Sequence, residues 1–461
     1  MNDIDGRSGP KRSATTGLRL LNLSAWIRSQ RLLQMLYRHL PQRWRDRTSA
    51  ILAGPASERA RFPRGPRWEV PASAAPDPIP VAGRTVVGEG VNILGYIRGQ
   101  FGLAESARLY ARALIDAGVD VSLYDIDLGL PHAWDDASLE PWIGTAMPHD
   151  VSIIFVNPDY LQPALRQIGA AKLEGTYLIA CWFWELETIP PDWLDALSQV
   201  DEILVASQFV EAAFRRVTNK PVTRVPLPLS TVPDSGLQRS DFGLEEGRFT
   251  FLVTFDFNSW IARKNPFAAL AAFRQAFPET RDDVRLLIKS SNGFRHPDRF
   301  RHLLNAAAGD GRVIVRDDVI DRAHVNALQR CCDAYVSLHR AEGFGLGLAE
   351  CMALGKPVIA TNWSGNLEFM TDRSAILVDY DLVPVKDGEY PHAQGARWAE
   401  VRVESAASAM RALADDPAAA AALGQRARQE VLDRLAPANA ARLIVDRLGR
   451  IRAARTRRER I

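Results

Sequence analysis

The sequence predicts an α/β protein whose strands form parallel sheets. Short apolar and β-branched runs, typical of strands buried on both faces, alternate with helical segments that open after glycine turns. Two such successions begin independently, one near Val86 and one at Phe249. A length of 461 residues and a hydrophobic fraction of 47% are sufficient for two or three domains with cores of their own.

The balance of charge and the use of cysteine narrow the classes of function. A net charge of +2 gives no basic excess for binding nucleic acid. The four cysteines have no metal-binding or redox spacing, which favours a reducing cytoplasm. The polar start of the sequence indicates no signal peptide, and no run of about 18 apolar residues predicts a spanning helix. We expect a cytoplasmic protein that binds no nucleic acid.

Residues 1–80 are predicted to be an N-terminal extension. Between Leu18 and Leu40, apolar residues that include Trp26 alternate with arginines, which predicts a basic amphipathic helix. Such a helix suits the anionic surface of a membrane and suits docking on a protein equally well, so both remain open. Residues 55–80 are rich in proline and alanine and are predicted to be a linker.

The first α/β domain is predicted over residues 81–240. Its first strand leads into a glycine turn at 99–105 that opens a helix, and this helix ends at Gly118. Two further buried strands are predicted at 151–157 and 177–184. Polar residues stand at the carboxyl ends of these strands, namely Asn157, Asp159 and Glu185, and strand ends of this kind are candidates for contact with a ligand.

The second α/β domain is predicted over residues 241–435. Its first strand is followed by a loop that carries Arg263 and Lys264 directly before a helix. Lys289 stands at the end of the next strand, where a contact with phosphate and a place on the surface are both open. Alanine-rich helices complete this domain, and residues 436–461 are predicted to be a C-terminal helix with a solvated basic tail.

The most informative stretch is a glycine-rich loop between a strand and a short helix. Glu342 opens the sequence Glu-Gly-Phe-Gly-Leu, and Glu350 follows on the helix after seven intervening residues. Loops at the carboxyl ends of parallel strands bind ligands, and the free N–H groups of a helix N-terminus suit phosphate. Carboxylates accept hydrogen bonds from sugar hydroxyls. With the second turn at Ser364 and Gly365, this pattern predicts a nucleotide-sugar site.

The succession from His339 to Leu346, with Glu350 completing a Glu-x7-Glu pattern, closely resembles the retaining glycosyltransferases of family 4. The resemblance covers about residues 86–435. It implies the GT-B fold, in which two Rossmann-like domains face each other across a cleft. It also implies transfer of a sugar from a nucleoside diphosphate to a hydroxyl acceptor, with retention and without a metal or any other cofactor.

The resemblance implies a role for each matching residue. The arginine and lysine of the second domain bind the donor diphosphate, the first glutamate of the pattern binds the sugar, and the second binds the ribose. The catalytic residues implied in this way are Arg263, Lys264, His339 and Glu342. The donor-binding residues are Gly102, Lys289, Gly343, Phe344, Gly345, Leu346, Glu350, Ser364 and Gly365. Many members of the family place a histidine, which helps to position donor and acceptor, where this chain has Asn157 or Asp159. Asn157, Asp159 and Glu185 are therefore the candidates for the acceptor side, Glu185 as a contact or a base, and this side stays open.

The sequence around Arg263 resembles a subgroup that acts on bacterial surface polysaccharides, such as exopolysaccharide and lipopolysaccharide. The resemblance favours a mannosyltransferase that uses a glycan or polyprenyl-linked acceptor, peripherally at the inner face of the plasma membrane. Two alternatives stay open. One is a catalytically idle GT-B module that docks in a membrane assembly through residues 1–80, and the other is a GT-B sugar-nucleotide epimerase.

Overall fold

The computed structural model describes residue 30 and residues 58–65, 67–69, 90–130, 132–229 and 234–459. The chain forms two compact units, each of which combines separate stretches of sequence. The first unit contains Gly236–Leu338, Val403–Asp415 and the described part of residues 58–69. The second unit contains the described residues from 90 to 235, His339–Arg402 and the described residues from Asp416 onwards.

The second unit contains a six-stranded parallel sheet in the order β2-β1-β3-β4-β5-β6. Its strands are β1 (Val91–Gly95), β2 (Val121–Asp125), β3 (Val151–Phe155), β4 (Tyr177–Cys181), β5 (Glu202–Val205) and β6 (Val222–Arg224). The helices between them are α1 (Gly102–Asp116), α2 (Pro158–Ile168), α3 (Ala170–Leu173), α4 (Leu194–Ser198) and α5 (Gln208–Arg215). Because β1 pairs with β3, the loops at the carboxyl ends of these two strands are neighbours.

The connection from β2 to β3 is a long loop in place of a crossover helix, with a single 3-10 turn at Glu140–Trp142. It remains close to the sheet because Gly144 N donates a 2.9 Å hydrogen bond to the carbonyl of Leu123. Directly after β2, Ile126 N donates a 2.8 Å bond to the carbonyl of Gly95 at the end of β1. The start of this loop is therefore held beside the turn that follows β1.

A second six-stranded sheet has the order β12-β11-β10-β7-β8-β9. Its strands are β7 (Phe249–Asp256), β8 (Val284–Ser291), β9 (Val313–Asp317), β10 (Ala334–Ser337), β11 (Val358–Thr361) and β12 (Ile376–Val378). The helices between them are α6 (Ile261–Lys264), α7 (Pro266–Ala276), α8 (Pro297–Ala307), α9 (Arg322–Cys331) and α10 (Leu346–Ala353). In the first unit, the ring of Phe251 on β7 lies 5.8 Å from that of Phe277 after α7, inside the core.

An antiparallel hairpin follows β12, and the sequence analysis does not anticipate it. Its strands are β13 (Tyr380–Pro384) and β14 (Arg397–Val401). The hairpin belongs to the second unit and is attached to the glycine-rich segment by a hydrogen bond from Ala399 N to the carbonyl of Arg340, at 3.0 Å.

Three helices end the described chain: α11 (Val403–Asp415), α12 (Pro417–Arg434) and α13 (Pro437–Glu459). α13 packs against α1 in the second unit. The prediction of a solvated basic tail is wrong for two of its arginines. Arg447 Nη2 lies 2.7 Å from the fully buried carboxylate of Glu202, and Arg452 Nη2 lies 2.8 Å from the exposed carboxylate of Asp150. Both arginines fix α13 to the first sheet.

The predicted amphipathic helix at 18–40 lies outside the described residues. Part of the predicted linker is a packed segment of the first unit, where Phe62 is 3% exposed and its ring lies 5.6 Å from that of Phe242. Arg64 pairs with Asp318 at 3.1 Å. The proline- and alanine-rich composition predicts a spacer, but Phe62 and Trp68 of this segment pack against Phe242. In the described part of the chain, no helix is both long enough and apolar enough to cross a membrane.

Candidate functional site

The glycine-rich loop lies at the carboxyl end of β10 and leads into α10. Gly345 caps α10 with a φ of 97°, a left-handed backbone that favours glycine. Phe344 is 3% exposed, and its ring packs 5.0 Å from that of Phe369. Gly355, which follows the helix, has a φ of 73°, as expected for the glycine after a helix end. The local strand–loop–helix arrangement that the sequence predicts is confirmed.

The second predicted turn touches the first. Glu342 N donates a 2.8 Å hydrogen bond to Ser364 Oγ, and Gly365 N donates one of the same length to the carbonyl of Glu342. A Cβ on Gly365 would lie 2.2 Å from the carbonyl oxygen of Gly343, so this contact requires glycine. Ser364 has a φ of 82°, a conformation that costs about 1–3 kcal/mol for a residue with a side chain.

Both glutamates of the Glu-x7-Glu pattern belong to the second unit and are buried. Glu342 is 6% exposed, and Glu350, on α10, is 2% exposed. A carboxylate in such surroundings is costly unless it is hydrogen-bonded, and hydrogen bonds to it are stronger than in water. Leu346, the first residue of α10, lies between the two glutamates in the sequence, and its side chain is half-buried.

His339 is fully buried, and its contacts are with the second turn. Its Nε2 lies 3.1 Å from Asn366 Oδ1 and 3.3 Å from the carbonyl of Trp363. Thr361 Oγ1 donates a 2.7 Å bond to the carbonyl of His339, and Asn366 Nδ2 donates one to the carbonyl of Thr361. The structure thus places His339 as a support for the Ser364–Gly365 turn, and its catalytic role stays a prediction.

Residues that follow β5 of the first sheet, in the same unit, also form hydrogen bonds with the glycine-rich loop and with the second turn. Ser207 Oγ donates a 2.6 Å bond to the carbonyl of Gly343, and Gln208 N donates a 2.7 Å bond to Glu368. A Cβ on Gly343 would lie 2.9 Å from the carbonyl oxygen of Trp184. Sequence analysis missed Ser207 and Glu368, because such long-range pairs leave no local pattern. The N-cap position of Ser207 before α5 was the one available signal.

Gly102 begins α1, and the turn before it is fixed by an arginine that the sequence analysis also missed. Arg108 is 4% exposed, and its Nη1 donates bonds of 2.8 and 2.7 Å to the carbonyls of Ile97 and Gly99. Its charge is paired with Glu105 at 2.7 Å. Among the described residues, and apart from its own helix and its neighbours in sequence, no atom lies within 4 Å of a Cβ built on Gly102, so these residues leave room for a ligand.

The three acceptor-side candidates form protein contacts in the second unit. The amide of Asn157 exchanges two 3.1 Å hydrogen bonds with the backbone of Phe183 and so links the ends of β3 and β4. Asp159 accepts a 3.0 Å bond from Trp193 Nε1, and His392 lies 3.4 Å from it.

Glu185 accepts a hydrogen bond from Tyr390 Oη, on the loop between the strands of the β13–β14 hairpin. The hairpin therefore covers part of the predicted acceptor side, and no local pattern in the sequence predicts this contact.

The predicted phosphate-binding residues belong to the first unit. Arg263, 4% exposed, and half-buried Lys264 stand in the one-turn helix α6. Trp260 and Asn265 flank this helix with φ values of 62° and 48°. A non-glycine residue with positive φ is uncommon, and strain of this kind occurs at ligand-binding loops.

The loop before α6 is supported by a polar network. Asp256 accepts a 2.7 Å bond from Asn258 N and a 2.8 Å bond from Asn292 Nδ2, while Asn258 Oδ1 lies 2.9 Å from His296 Nε2. Burial lowers the pKa of His296, and the nearby Arg299 lowers it further. The neutral imidazole is thus the favoured form in this network.

Lys289, at the end of β8, is 7% exposed. Burial lowers the pKa of its ammonium group, while the carboxylates of Asp256, Asp317 and Asp318 act in the opposite direction. The buried Asp317 accepts bonds from Ser290 Oγ and Gly293 N, and burial raises its pKa. Lys289 therefore lies among carboxylates, so the surface position left open by the sequence is wrong.

The structure brings together Glu342, Gly343, Ser364, Gly365 and His339. Phe344, Gly345, Leu346 and Glu350 continue the same segment of the second unit, and Gly102 belongs to that unit as well. Arg263, Lys264 and Lys289 are grouped in the first unit, at the carboxyl ends of β7 and β8. Among the residues with described side chains, no group of His, Cys, Asp and Glu has an arrangement that could hold a metal ion.

Residues 259–387 match the family model described as glycosyl transferases group 1. The matched range includes the Arg263–Lys264 loop, the Glu342–Gly345 loop and the Ser364–Gly365 turn. Trehalose synthase from Rubrobacter xylanophilus is 25% identical over 303 residues, which cover 60% of this chain. The chain covers 64% of that relative, slightly less than two thirds of its length.

Solved structures are similar in fold. HepE from Anabaena, in complex with UDP and glucose, has a TM-score of 0.56 at 15% identity, covering 78% of this chain and 100% of HepE. Sucrose-phosphate synthase from Thermosynechococcus elongatus has a TM-score of 0.56 at 16% identity, covering 79% of this chain and 100% of that enzyme. At such identities the likeness concerns the fold, and the predicted GT-B fold is confirmed.

Proposed function

We propose that the chain is a glycosyltransferase that takes its sugar from a nucleoside diphosphate. One observation carries the proposal. The Glu342–Gly345 loop and the Ser364–Gly365 turn are joined by hydrogen bonds inside the range that matches the glycosyl transferases group 1 model. The similarity to a trehalose synthase supports chemistry on sugars, and the similarity to HepE in complex with UDP-glucose supports a nucleotide-sugar donor.

We assign recognition of the donor sugar to Glu342 and recognition of the ribose to Glu350. Both side chains are buried, and carboxylates accept hydrogen bonds from hydroxyl groups. Free N–H groups at the start of α10 supply further donors for phosphate oxygens. The tight contact of Gly365 with Gly343 fixes the loop before the donor binds, which reduces the reorganisation that binding requires.

We assign stabilisation of the leaving diphosphate to Arg263 and Lys264. An arginine fork and a lysine point charge can neutralise a departing phosphate, so a metal-free reaction is part of the proposal. We propose retention of configuration by attack on the same face that the diphosphate leaves, with the leaving phosphate oxygen accepting the proton of the acceptor hydroxyl. The bond from the anomeric carbon to the phosphate breaks as the bond to the acceptor oxygen forms.

The proposed product is a hexosylated glycan or polyprenyl-linked glycan of the cell surface. Mannose is the favoured sugar on the resemblance of the Arg263 region, whereas HepE was solved with UDP-glucose. GDP-mannose and UDP-glucose are therefore the first two donors to compare. The proposed place is the cytoplasmic side of the membrane, with residues 18–40 as the membrane contact.

Donor turnover by the purified full chain tests the proposal. GDP-mannose and UDP-glucose are supplied separately, with and without EDTA, and release of GDP or UDP is measured. We expect Glu342→Ala, Glu350→Ala and Lys264→Ala to lower the turnover of the accepted donor by about a hundredfold, since each removes a charge from the donor site. EDTA should have no effect, and the anomeric configuration of the product should match that of the donor.

Exposed residues of the same type serve as controls. Glu174→Ala and Lys172→Ala change exposed side chains of the second unit and should retain wild-type turnover. Wild-type rates in all three site variants would contradict the assignment. An idle module would bind neither GDP nor UDP by calorimetry, and an epimerase would convert the donor to an isomeric nucleotide-sugar without releasing the nucleoside diphosphate.

A further inference from the structure

A packed N-terminal strap of the first unit, residues 58–65 and 67–69, contacts the first residue after β9. Phe62 N donates a 3.3 Å hydrogen bond to the carboxylate of Asp318, and Arg64 Nη2 lies 3.1 Å from the same carboxylate. Asp318 is 7% exposed, and a carboxylate with so little exposure is costly unless it has partners. Among the described residues, both partners of its side chain belong to the strap.

Aromatic contacts hold the strap in place. The rings of Phe62 and Trp68 each lie 5.6 Å from that of Phe242. The ring of Trp68 also lies 4.4 Å from that of His324, whose Nε2 lies 2.6 Å from the carbonyl oxygen of Trp68. The guanidinium of Arg64 lies 4.2 Å from the centre of the Trp68 ring, a favourable contact between a cation and an aromatic face. These contacts position Arg64 before a ligand binds.

The strand register places Asp318 on the same face of the sheet as Lys289. Lys289 on β8 lies opposite Arg316 on β9, and Ser290 lies opposite Asp317. Asp318 N extends this pairing by donating a 3.0 Å bond to the carbonyl of Ser290. Side chains alternate along a strand and paired strands are about 5 Å apart, so Asp318 is a diagonal neighbour of Lys289. Burial lowers the pKa of Lys289, and the charge of Asp318 partly opposes this effect, in agreement with the placement.

The ammonium group of Lys289 is available to an anion. The residue is 7% exposed, and its ammonium forms no hydrogen bond or ion pair in the described part of the chain. Its Nζ is nevertheless not fully covered, so a ligand can reach it. A largely buried cation without a partner costs free energy, and a negatively charged ligand removes that cost. Its place at the carboxyl end of a parallel strand is where such sheets bind ligands.

The carboxylates around Lys289 differ in what holds them. Asp256 and Asp317 accept hydrogen bonds from β8 and from the loops that follow β7 and β8. Those partners belong to the sheet and its loops. Asp318 instead depends on the strap, whose Arg64 neutralises its charge. Loss of Arg64 would therefore leave one carboxylate next to Lys289 without a counter-charge.

We propose that Arg64 and Asp318 are positioning residues for binding of the donor. By holding the carboxylate of Asp318, the strap prevents an ion pair between Asp318 and Lys289, and Lys289 stays free to bind a phosphate of the donor. The inference rests on the proposed function and deepens it, since it assigns Lys289 to the donor diphosphate and makes donor affinity depend on the N-terminal extension. Without Arg64, the carboxylate competes with the phosphate for the same ammonium group.

Calorimetry with the full chain tests this competition, with GDP, UDP and inorganic pyrophosphate as the probes. We expect Arg64→Ala to weaken binding of pyrophosphate and of the accepted nucleotide about three- to tenfold, the effect of one competing ion pair. Asp318→Asn removes the competitor and should bind within about twofold of the wild type. Adding Arg64→Ala to Asp318→Asn should then cause no further loss. A role of Arg64 in stability alone, or in long-range attraction, would persist in the double variant.

Matched variants complete the test. Arg61→Ala removes an exposed arginine of the same strap and should bind as the wild type does, and Arg64→Lys, which keeps the charge, should bind within about twofold of it. Lys289→Gln should weaken binding at least as much as Arg64→Ala does.

The outcomes separate this inference from the proposed function. Wild-type affinity of Arg64→Ala for every probe, a loss that persists beside Asp318→Asn, or a lack of pyrophosphate binding would overturn the inference. A wild-type chain that binds pyrophosphate but neither GDP nor UDP would instead overturn the proposed function, and the pyrophosphate series would still decide the role of the strap.

Discussion

Ser207 Oγ donates a 2.6 Å hydrogen bond to the carbonyl oxygen of Gly343. The two residues are 136 positions apart in sequence, and both are fully or nearly fully buried in the second unit. Ser207 also caps α5 by accepting a bond from Val210 N. One hydroxyl group therefore connects the start of α5 to the glycine-rich loop that carries Glu342.

Ser207→Ala should lower both stability and donor affinity. It leaves the Gly343 carbonyl without its donor and removes the helix cap, so we expect a loss of about 1–3 kcal/mol in the free energy of unfolding. Urea denaturation followed by tryptophan fluorescence measures the loss, and nucleotide calorimetry measures the affinity. Ser198→Ala, which changes an exposed serine of the same unit, is the control. Equal midpoints for the two variants would contradict a structural role for the Ser207 hydroxyl.

Gly365→Ala and Gly102→Ala should separate the structural glycine from the ligand-facing one. At Gly365 the added Cβ would lie 2.2 Å from the Gly343 carbonyl oxygen, so we expect a destabilisation of several kcal/mol. At Gly102 it meets nothing within 4 Å, and stability should change by less than about 0.5 kcal/mol.

Thermal denaturation and donor turnover distinguish the two variants. A stable Gly102→Ala enzyme with weakened donor turnover is the result expected from close approach of the donor. Unaltered turnover would remove Gly102 from the donor-binding residues.

Tyr96→Phe should stabilise the protein. The substitution deletes a buried hydroxyl that has no partner among the described residues, and relieving that cost is worth about 1–3 kcal/mol. Tyr110→Phe is the matched contrast, because it removes a hydroxyl that donates to the Val225 carbonyl and should destabilise by about 1 kcal/mol. Differential scanning calorimetry of both variants compares the signs. A fall in melting temperature for Tyr96→Phe would mean that its hydroxyl is satisfied in the folded protein.

The network around His296 predicts a dependence of stability on pH. Burial and Arg299 lower the pKa of His296 from the ordinary value of 6.5. The unfolded chain therefore binds more protons than the folded chain just below pH 6.5, and stability falls as the pH falls from about 6.5 to the folded-state pKa. Asp256 opposes this shift, and Arg295 adds to it.

Urea denaturation at pH 5 to 8 measures this effect. His296→Asn keeps a hydrogen-bonding side chain beside Asn258 but cannot be protonated, so its stability should fall less on acidification than that of the wild type. His149, whose pKa burial also lowers, contributes a background of the same sign in both proteins. Parallel curves for the wild type and the variant would exclude His296 as a source of the pH dependence.

The local geometry of the glycine-rich loop could be predicted because residues that are neighbours in the sequence determine it. Gly345 and Gly355 mark the ends of α10, and the two glycine turns follow successive strands, so local rules suffice. Arg263 and Lys264 are predicted as phosphate-binding residues from their position before Pro266 and from the resemblance, and their role stays a prediction. In each case the signal lies within a few residues of the element that it defines.

The remainder depended on contacts between distant parts of the chain. Tyr390 of the hairpin binds Glu185, which lies 205 residues earlier, and its local pattern does not differ from that of an ordinary surface residue. The sequence predicts a solvated basic tail, because it shows the arginines of the tail but not the carboxylates that pair with them. Its counter-charges are supplied by the amino ends of two strands that lie far away in sequence, where Asp150 precedes β3 and Glu202 begins β5. Tertiary pairing of this kind overrides a prediction from composition.

The attachment of α13 to the first sheet has a consequence for synthesis on the ribosome. The fully buried Glu202 accepts hydrogen bonds from Tyr177 and Thr223 of the same sheet, but the cation that pairs with it, Arg447, is absent until residues 437–459 have emerged. The strands of this sheet leave the ribosome early, yet this cation is translated late. Nascent chains that stall before this helix should therefore remain protease-sensitive over their amino-terminal half and depend on chaperones, and release of the finished polypeptide should complete the folding of this unit.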